Sequence, residues 1–137
     1  MLQKEYEQWA VAGGMIANIG SRIVEVGPGT LVLAANMTLE DHSFPTGRGP
    51  IVHGGAIATL ADEALASVAF TLAVEGETTT TSGLQVDYYR PAALGRLVAR
   101  AVVRHRTRRL AYCHTTVEQD DGKVVAEGRA TIAYVRA

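Results

Sequence analysis

From His53 to Val74 the chain reads as one long helix, with Ile57, Leu60, Ala61, Ala64, Leu65, Val68 and Leu72 at three- and four-residue steps. Most of its remaining positions are small and apolar. A helix apolar around most of its circumference must be covered on several sides, and the rest of the sequence says by what. Everything after Gly76 has the period of β-strands, so the expectation is an antiparallel sheet wrapped around one central helix, an α+β fold.

The strands are expected over 79–89, 96–106, 110–119 and 123–136. Leu97, Ala99, Ala101 and Val103 alternate with Val98, Arg100, Val102 and Arg104 in the second of them. Asp120-Asp121-Gly122 has hairpin-turn chemistry. Before the helix, residues 21–26 and 30–37 read as two strands joined by Gly27-Pro28-Gly29. Residues 2–17 read as an amphipathic helix with Tyr6, Trp9 and Ala10 inward, its far end blurred by Gly13-Gly14. The segment 40–50 carries two prolines and two glycines without periodicity and is expected to be a loop. With 137 residues and no internal linker or repeat, a single domain over 1–137 is expected. Open sheet edges in such a fold call for covering or pairing, which favours an oligomer.

Bulk properties narrow the function. A net charge of -1 speaks against a generally basic nucleic-acid binder. No apolar run has the length of a membrane span. The single Cys113 cannot form an intrachain disulfide, and no His or acid cluster has metal-ligand spacing. A cytoplasmic protein without metal, without membrane association and without nucleic-acid partner is expected.

The informative stretch is His53-Gly54-Gly55 with Asp62 a little over two helical turns later. Backbone N–H groups at a helix start have no partner within the helix and suit an oxyanion or phosphate. Glycines let a ligand approach them. At 100° per residue, Asp62 falls at the margin of the apolar stripe beside the small Ala58 and Ala69, while Glu63 is expected to turn toward solvent. His53 fits a capping role better than that of a base. Between Tyr88 and Val117 stand seven arginines and no acid. Arg96, Arg100 and Arg104 read as a solvated strand face. Arg90, Arg108 and Arg109 sit at strand ends and turns, where guanidinium forks suit phosphate oxygens. Thr78 to Ser82 is β-prone by composition, the four later tyrosines (Tyr88, Tyr89, Tyr112 and Tyr134) suggest core or interface, and Cys113 reads as an inert thiol.

Together, His53-Gly54-Gly55, Leu60-Ala61-Asp62 and Tyr89-Arg90-Pro91-Ala92 resemble the hotdog-fold acyl-CoA thioesterases of the PaaI-like, phenylacetic-acid-pathway branch. The resemblance runs from about Gly20 to Tyr134. It implies hydrolysis of a medium-chain or aromatic acyl-CoA to free acid and CoA, with coenzyme A part of the substrate and no further cofactor. It assigns Asp62 as nucleophile or general base, the Gly54 amide as oxyanion donor, Thr81 as holder of the attacking water, and His53 as organiser of the loop. Gly55, Arg90, Arg108 and Arg109 are the expected substrate and CoA contacts. It also implies active sites between subunits, hence a homodimer at minimum and a homotetramer (dimer of dimers) as the fuller assembly.

One position departs from the pattern. Relatives carry Asn or Gln six residues before the motif His, where this chain has Gly47. His42, Thr46 and Arg48 are the candidate substitutes, and Phe44 and Pro45 candidate walls of an acyl pocket. Two other readings compete: an acyl dehydratase or hydratase on the same fold, faintly suggested by His42-Ser43-Phe44-Pro45, and a non-catalytic acyl-CoA binder.

Overall fold

The computed structural model describes residues 2–136. The chain begins with helices α1 (Leu2–Ala12) and α2 (Gly14–Ile19), followed by strands β1 (Arg22–Gly27) and β2 (Thr30–Met37). A single turn α3 (Leu39–His42) leads into β3 (Ser43–Thr46) and β4 (Gly49–Val52). The long helix α4 (Gly54–Phe70) then gives way to β5 (Glu77–Tyr88), β6 (Gly95–Arg106), β7 (Leu110–Gln119) and β8 (Val124–Arg136). Six strands form one antiparallel sheet in the order β1-β2-β6-β7-β8-β5, and β3 and β4 pair separately.

The sheet wraps α4, as the helix composition requires. Leu60, Ala61, Ala64, Leu65 and Val68 are fully buried against Leu33, Leu97, Val117, Val125 and Ile132 of the inner sheet face. Each large aliphatic side chain so buried contributes about 1.5–3 kcal/mol. Helix and sheet come close together at Gly128 of β8. A Cβ there would lie 3.0 Å from Thr115 Cγ2 and 3.4 Å from both Ala61 Cβ and Leu65 Cδ1. Only the absence of a side chain lets α4 sit this deep.

Four expectations are corrected. The first helix is broken in two, because Gly13 and Gly14 take φ of +95° and +77°, values that end an α-helix. Within α1 only Leu2 and Tyr6 are buried; Trp9 is 37% exposed and packs edge-on between Tyr6 and Phe70. The segment 40–50 is a turn of helix and a hairpin rather than a loop, its two prolines facing one another as the Pro45–Pro50 pair. The central helix stops at Phe70 rather than Val74, where the Thr71 hydroxyl turns back to the Val68 carbonyl and accepts the Gly29 N–H.

Glu63 is the fourth correction. It does not face solvent. Its Oε1 accepts hydrogen bonds from Tyr6 Oη at 2.9 Å and Ser21 Oγ at 2.8 Å, which ties α1 and the start of β1 to α4. The helical wheel placed Glu63 on the uncovered side of α4, but α1 folds back over that side. Burial, chiefly, raises its carboxyl above the usual carboxylate range, against the lowering effect of the two hydroxyls.

Candidate active site

The residues singled out in the sequence fall into three groups, spread along the outer edge strand β5. At the C-terminal end of β5 lies the start of α4. His53 is its N-cap, with φ -61° and ψ 135°, and its Nδ1 accepts the Gly55 N–H at 2.8 Å. The ring stands against Phe44, centroids 5.9 Å apart. A Cβ on Gly55 would meet His53 Nδ1 at 2.9 Å, so this capping geometry demands glycine there. The Gly55 amide is therefore already committed, which corrects its expected use as a free donor to substrate. The Gly54 N–H, first in the helix, has no partner among the described residues. It opens onto a cavity of about 350 Å³ whose lining includes Ile51, Ile57, Tyr88, Arg90 and Pro91.

In the middle of β5, Thr81 donates to Asp62 Oδ1 at 2.6 Å. Both side chains are half-buried between α4 and the strand. Two turns of the same contact are visible: Thr79, two residues earlier on the same strand face, donates to the Ala66 carbonyl at 3.1 Å. A register shift between Thr81 and Gly83 bends the strand just past this point. A half-buried carboxylate with one oxygen engaged and the other without a partner among the described residues can take a proton from water or attack an electrophile directly.

At the N-terminal end of β5 lie Arg108 and Arg109, in the turn between β6 and β7. They line a cavity of about 560 Å³ with Arg106, Arg136, Glu77 and Tyr134. Arg90 is at the opposite end, beside Gly54. The three arginines grouped in the sequence thus do not meet in one chain.

Three other residues resolve differently from the sequence reading. His42 is buried with both ring nitrogens engaged: Nδ1 accepts the Thr38 N–H at 3.0 Å, and Nε2 bonds the Asn18 carbonyl at 2.8 Å. Thr46 and Arg48 belong to a hairpin tip that bonds to itself. None of the three bonds to Asp62 of its own chain, where the sequence has Gly47 in place of an amide side chain. Cys113 is buried, which pushes its thiol up to about 12. Arg96 pairs with Asp120 and Arg100 with Glu118 on the exposed face.

Tyr88 is the residue that sequence reasoning missed. Of the two readings the sequence allows, core or interface, core does not hold: Tyr88 is 49% exposed in the single chain, and its hydroxyl donates to the Gly54 carbonyl at 2.6 Å while its ring packs on Gly54. It clamps the helix start to the end of β5. No local pattern marks it, since the two residues are 34 positions apart.

The sequence profile of the Thioesterase superfamily matches residues 49–126, which span α4 and most of the strands after it. The chain belongs to that superfamily. A Bordetella member of known structure is 30% identical, with a TM-score of 0.83 and 98% of each chain covered. A phenylacetic acid degradation-related protein of Ralstonia eutropha is 25% identical (TM-score 0.79, 93% of this chain and 98% of that one). The PaaI protein of the Escherichia coli phenylacetic acid degradation operon shares the fold at 24% identity (TM-score 0.79, 98% and 96% covered). Among curated protein sequences, none matches. The fold is the hotdog fold, α4 being the enclosed helix. No helix among the described residues is long and apolar enough to cross a membrane.

Proposed function

We propose that this superfamily member is an acyl-CoA thioesterase whose site is assembled from two copies of the chain. The observation that carries this is the Asp62–Thr81 pair beside the unpaired edge of β5, with a free Gly54 amide on the same helix. Eight residues of α-helix separate Gly54 from Asp62, about 12 Å at 1.5 Å per residue. One thioester carbonyl cannot touch both groups of one chain. Antiparallel pairing of β5 with a second β5 brings the Gly54–Tyr88 end of one copy toward the Asp62–Thr81 middle of the other. It also satisfies the open edge.

In that arrangement the carbonyl oxygen accepts the Gly54 N–H of one copy, at the positive end of α4. Asp62 of the other takes a proton from water as the water oxygen attacks the carbonyl carbon. Thr81 holds the carboxylate. The tetrahedral oxyanion then collapses, the C–S bond breaks, and the thiolate leaves as CoA with the proton returned by Asp62. Direct attack by Asp62, giving a mixed anhydride that water hydrolyses, uses the same groups. His53 fixes the loop and takes no proton. A medium-chain or aromatic acyl group suits the apolar walls Ile51, Ile57 and Pro91. We place the protein in the cytoplasm, as a homodimer or a dimer of dimers.

The test is thiol release from short, medium and long acyl-CoAs, phenylacetyl-CoA and hydroxybenzoyl-CoA, with the protein and its Asp62→Asn variant side by side. Hydrolysis that the substitution abolishes is expected. Equal turnover by the variant rules out Asp62 as catalyst, and modification of substrate without free thiol would mean a different hotdog reaction.

A further inference from the structure

Gly54 and Gly55 open α4 with no side chains to restrain the backbone around them. Helix starts fray, because their first N–H groups lack partners within the helix. An N–H that must meet a developing oxyanion helps only if its direction is set beforehand. Something other than Gly54 itself must therefore hold this donor.

A trans peptide unit carries its C=O and its N–H at opposite ends of one plane. In the unit joining Gly54 to Gly55, the carbonyl accepts the Tyr88 hydroxyl at 2.6 Å and the N–H donates to His53 Nδ1 at 2.8 Å. Both ends of that plane are held, one from β5 and one from the residue before the helix. The preceding unit carries the free Gly54 N–H and is held at its other end. There the His53 carbonyl accepts the Ala56 N–H at 2.9 Å and the Ile57 N–H at 3.3 Å. The Gly54 Cα thus lies between two fixed planes, and its N–H keeps one direction although glycine permits many. The Tyr88 ring closes the same gap, since a Cβ on Gly54 would lie 3.5 Å from it.

The His53 cap and the helical bonds are local, of the kind found wherever a helix begins. Tyr88 comes from outside the helix. It is the last residue of β5, and its backbone is set by the sheet: it pairs with Ala126 of β8, and the Tyr89 N–H donates to the Val125 carbonyl at 2.8 Å. Just beyond, the Val52 N–H donates to the Ala92 carbonyl at 2.9 Å, which braces the segment entering α4 against the segment leaving β5. The phenol therefore reaches Gly54 from a rigid frame. Burial raises its pKa above that of an ordinary tyrosine, which keeps the hydroxyl a donor at neutral pH. Tyr88 and Gly54 line the same cavity of about 350 Å³.

We propose that Tyr88 is a positioning residue for the reaction: through the Gly54 carbonyl it sets the direction of the Gly54 N–H that receives the carbonyl oxygen of the substrate. Its effect falls on the transition state, where that oxygen carries charge, and much less on binding of the neutral thioester. This rests on the thioesterase reading above, so its test includes a measurement without substrate. Tyr88→Phe keeps the ring and removes only the hydroxyl. For the parent and this variant, kcat and KM are measured with the acyl-CoA of the panel that the parent hydrolyses fastest. Backbone amide exchange is followed by NMR in both free proteins.

The expected result is a kcat lower by about 3–10-fold, the usual effect of losing one neutral hydrogen bond, with KM unchanged to within about twofold. Exchange of the Gly55 N–H, whose peptide unit is then held from one end only, should speed by a similar factor. Exchange at Leu65, fully buried in the middle of α4, should not change. An unchanged kcat overturns the proposal, whether or not KM rises, and so does Gly55 exchange that ignores the substitution. Faster exchange at Leu65 as well would make Tyr88 a residue of global stability, with the same consequence. A parent whose Gly55 exchange depends on Tyr88 but that hydrolyses no thioester would keep the clamp and remove the thioesterase reading, and with it the catalytic role.

Discussion

Replacing Gly128 by alanine tests whether α4 is held at its depth by contact with the sheet. The new Cβ would lie 3.0 Å from Thr115 Cγ2 and 3.4 Å from Ala61 and Leu65 of α4. Thr115 cannot swing away: it is completely buried, and its hydroxyl donates to the Arg100 carbonyl at 2.9 Å. Overpacking of this kind costs about 1–3 kcal/mol. The lower entropy of an unfolded chain with alanine returns about 0.4–1 kcal/mol. The clash wins, leaving a net loss of about 1–2 kcal/mol. With 137 residues and about 2.1 cal/mol/K of unfolding entropy per residue, each kcal/mol lowers Tm by about 3.5 °C. Thermal unfolding should therefore show Tm falling by about 4–7 °C. Thr115→Ser removes the offending methyl and keeps the hydroxyl, so adding it to Gly128→Ala should recover much of that loss although alone it destabilises. A Gly128→Ala protein as stable as the parent, or additive effects of the two changes, would show that the helix is not seated by this contact.

Thr81→Val keeps the shape of the side chain and deletes its hydrogen bond to Asp62. Loss of a bond to a carboxylate is worth about 10–100-fold, expected in kcat with KM little changed, and Thr81→Ser should retain activity. For Glu63, whose folded-state pKa is raised by burial, the sign follows from linkage. Its favourable contribution is complete below the ordinary carboxylate pKa and is lost as pH rises through the raised value. Glu63→Gln should thus be at its most stable relative to the parent at neutral pH, and that advantage should shrink on acidification. A Tm difference independent of pH would contradict a buried, charge-averse Glu63.

Much of the fold was legible because the deciding information is periodic and local. The three-four spacing of α4 and the alternation in β6 each identify an element, and β7 appears at its expected bounds, Leu110–Gln119. Boundaries set by tertiary contacts were not legible. Thr71 ends α4 by bonding Gly29, 42 residues away, and Pro45 and Pro50 look like loop formers until their strands pair. Similarly, Asp62 and the glycines stood out through spacing, whereas the Tyr88 clamp on Gly54 and the Tyr6–Ser21–Glu63 cluster join residues with no shared local pattern. The arginines were visible as a run, but only the register of β6, β7 and β8 sorts Arg106 and its neighbours from Arg90.

The central claim is that Gly54 of one copy and Asp62 of another act on the same carbonyl. Gly54 is the first residue of α4, where proline is well tolerated, and His53 already has the extended backbone that a following proline requires. Gly54→Pro therefore deletes the free amide with little other change. The decisive measurement is thioester hydrolysis by Gly54→Pro, by Asp62→Asn, and by the two mixed in equal amounts under subunit exchange. A composite site predicts two inactive parents and a mixture recovering about a quarter of full activity, since random exchange makes half the dimers mixed and each mixed dimer has one intact site. An inactive mixture, with exchange shown to have occurred, would place both groups in one chain and contradict the claim.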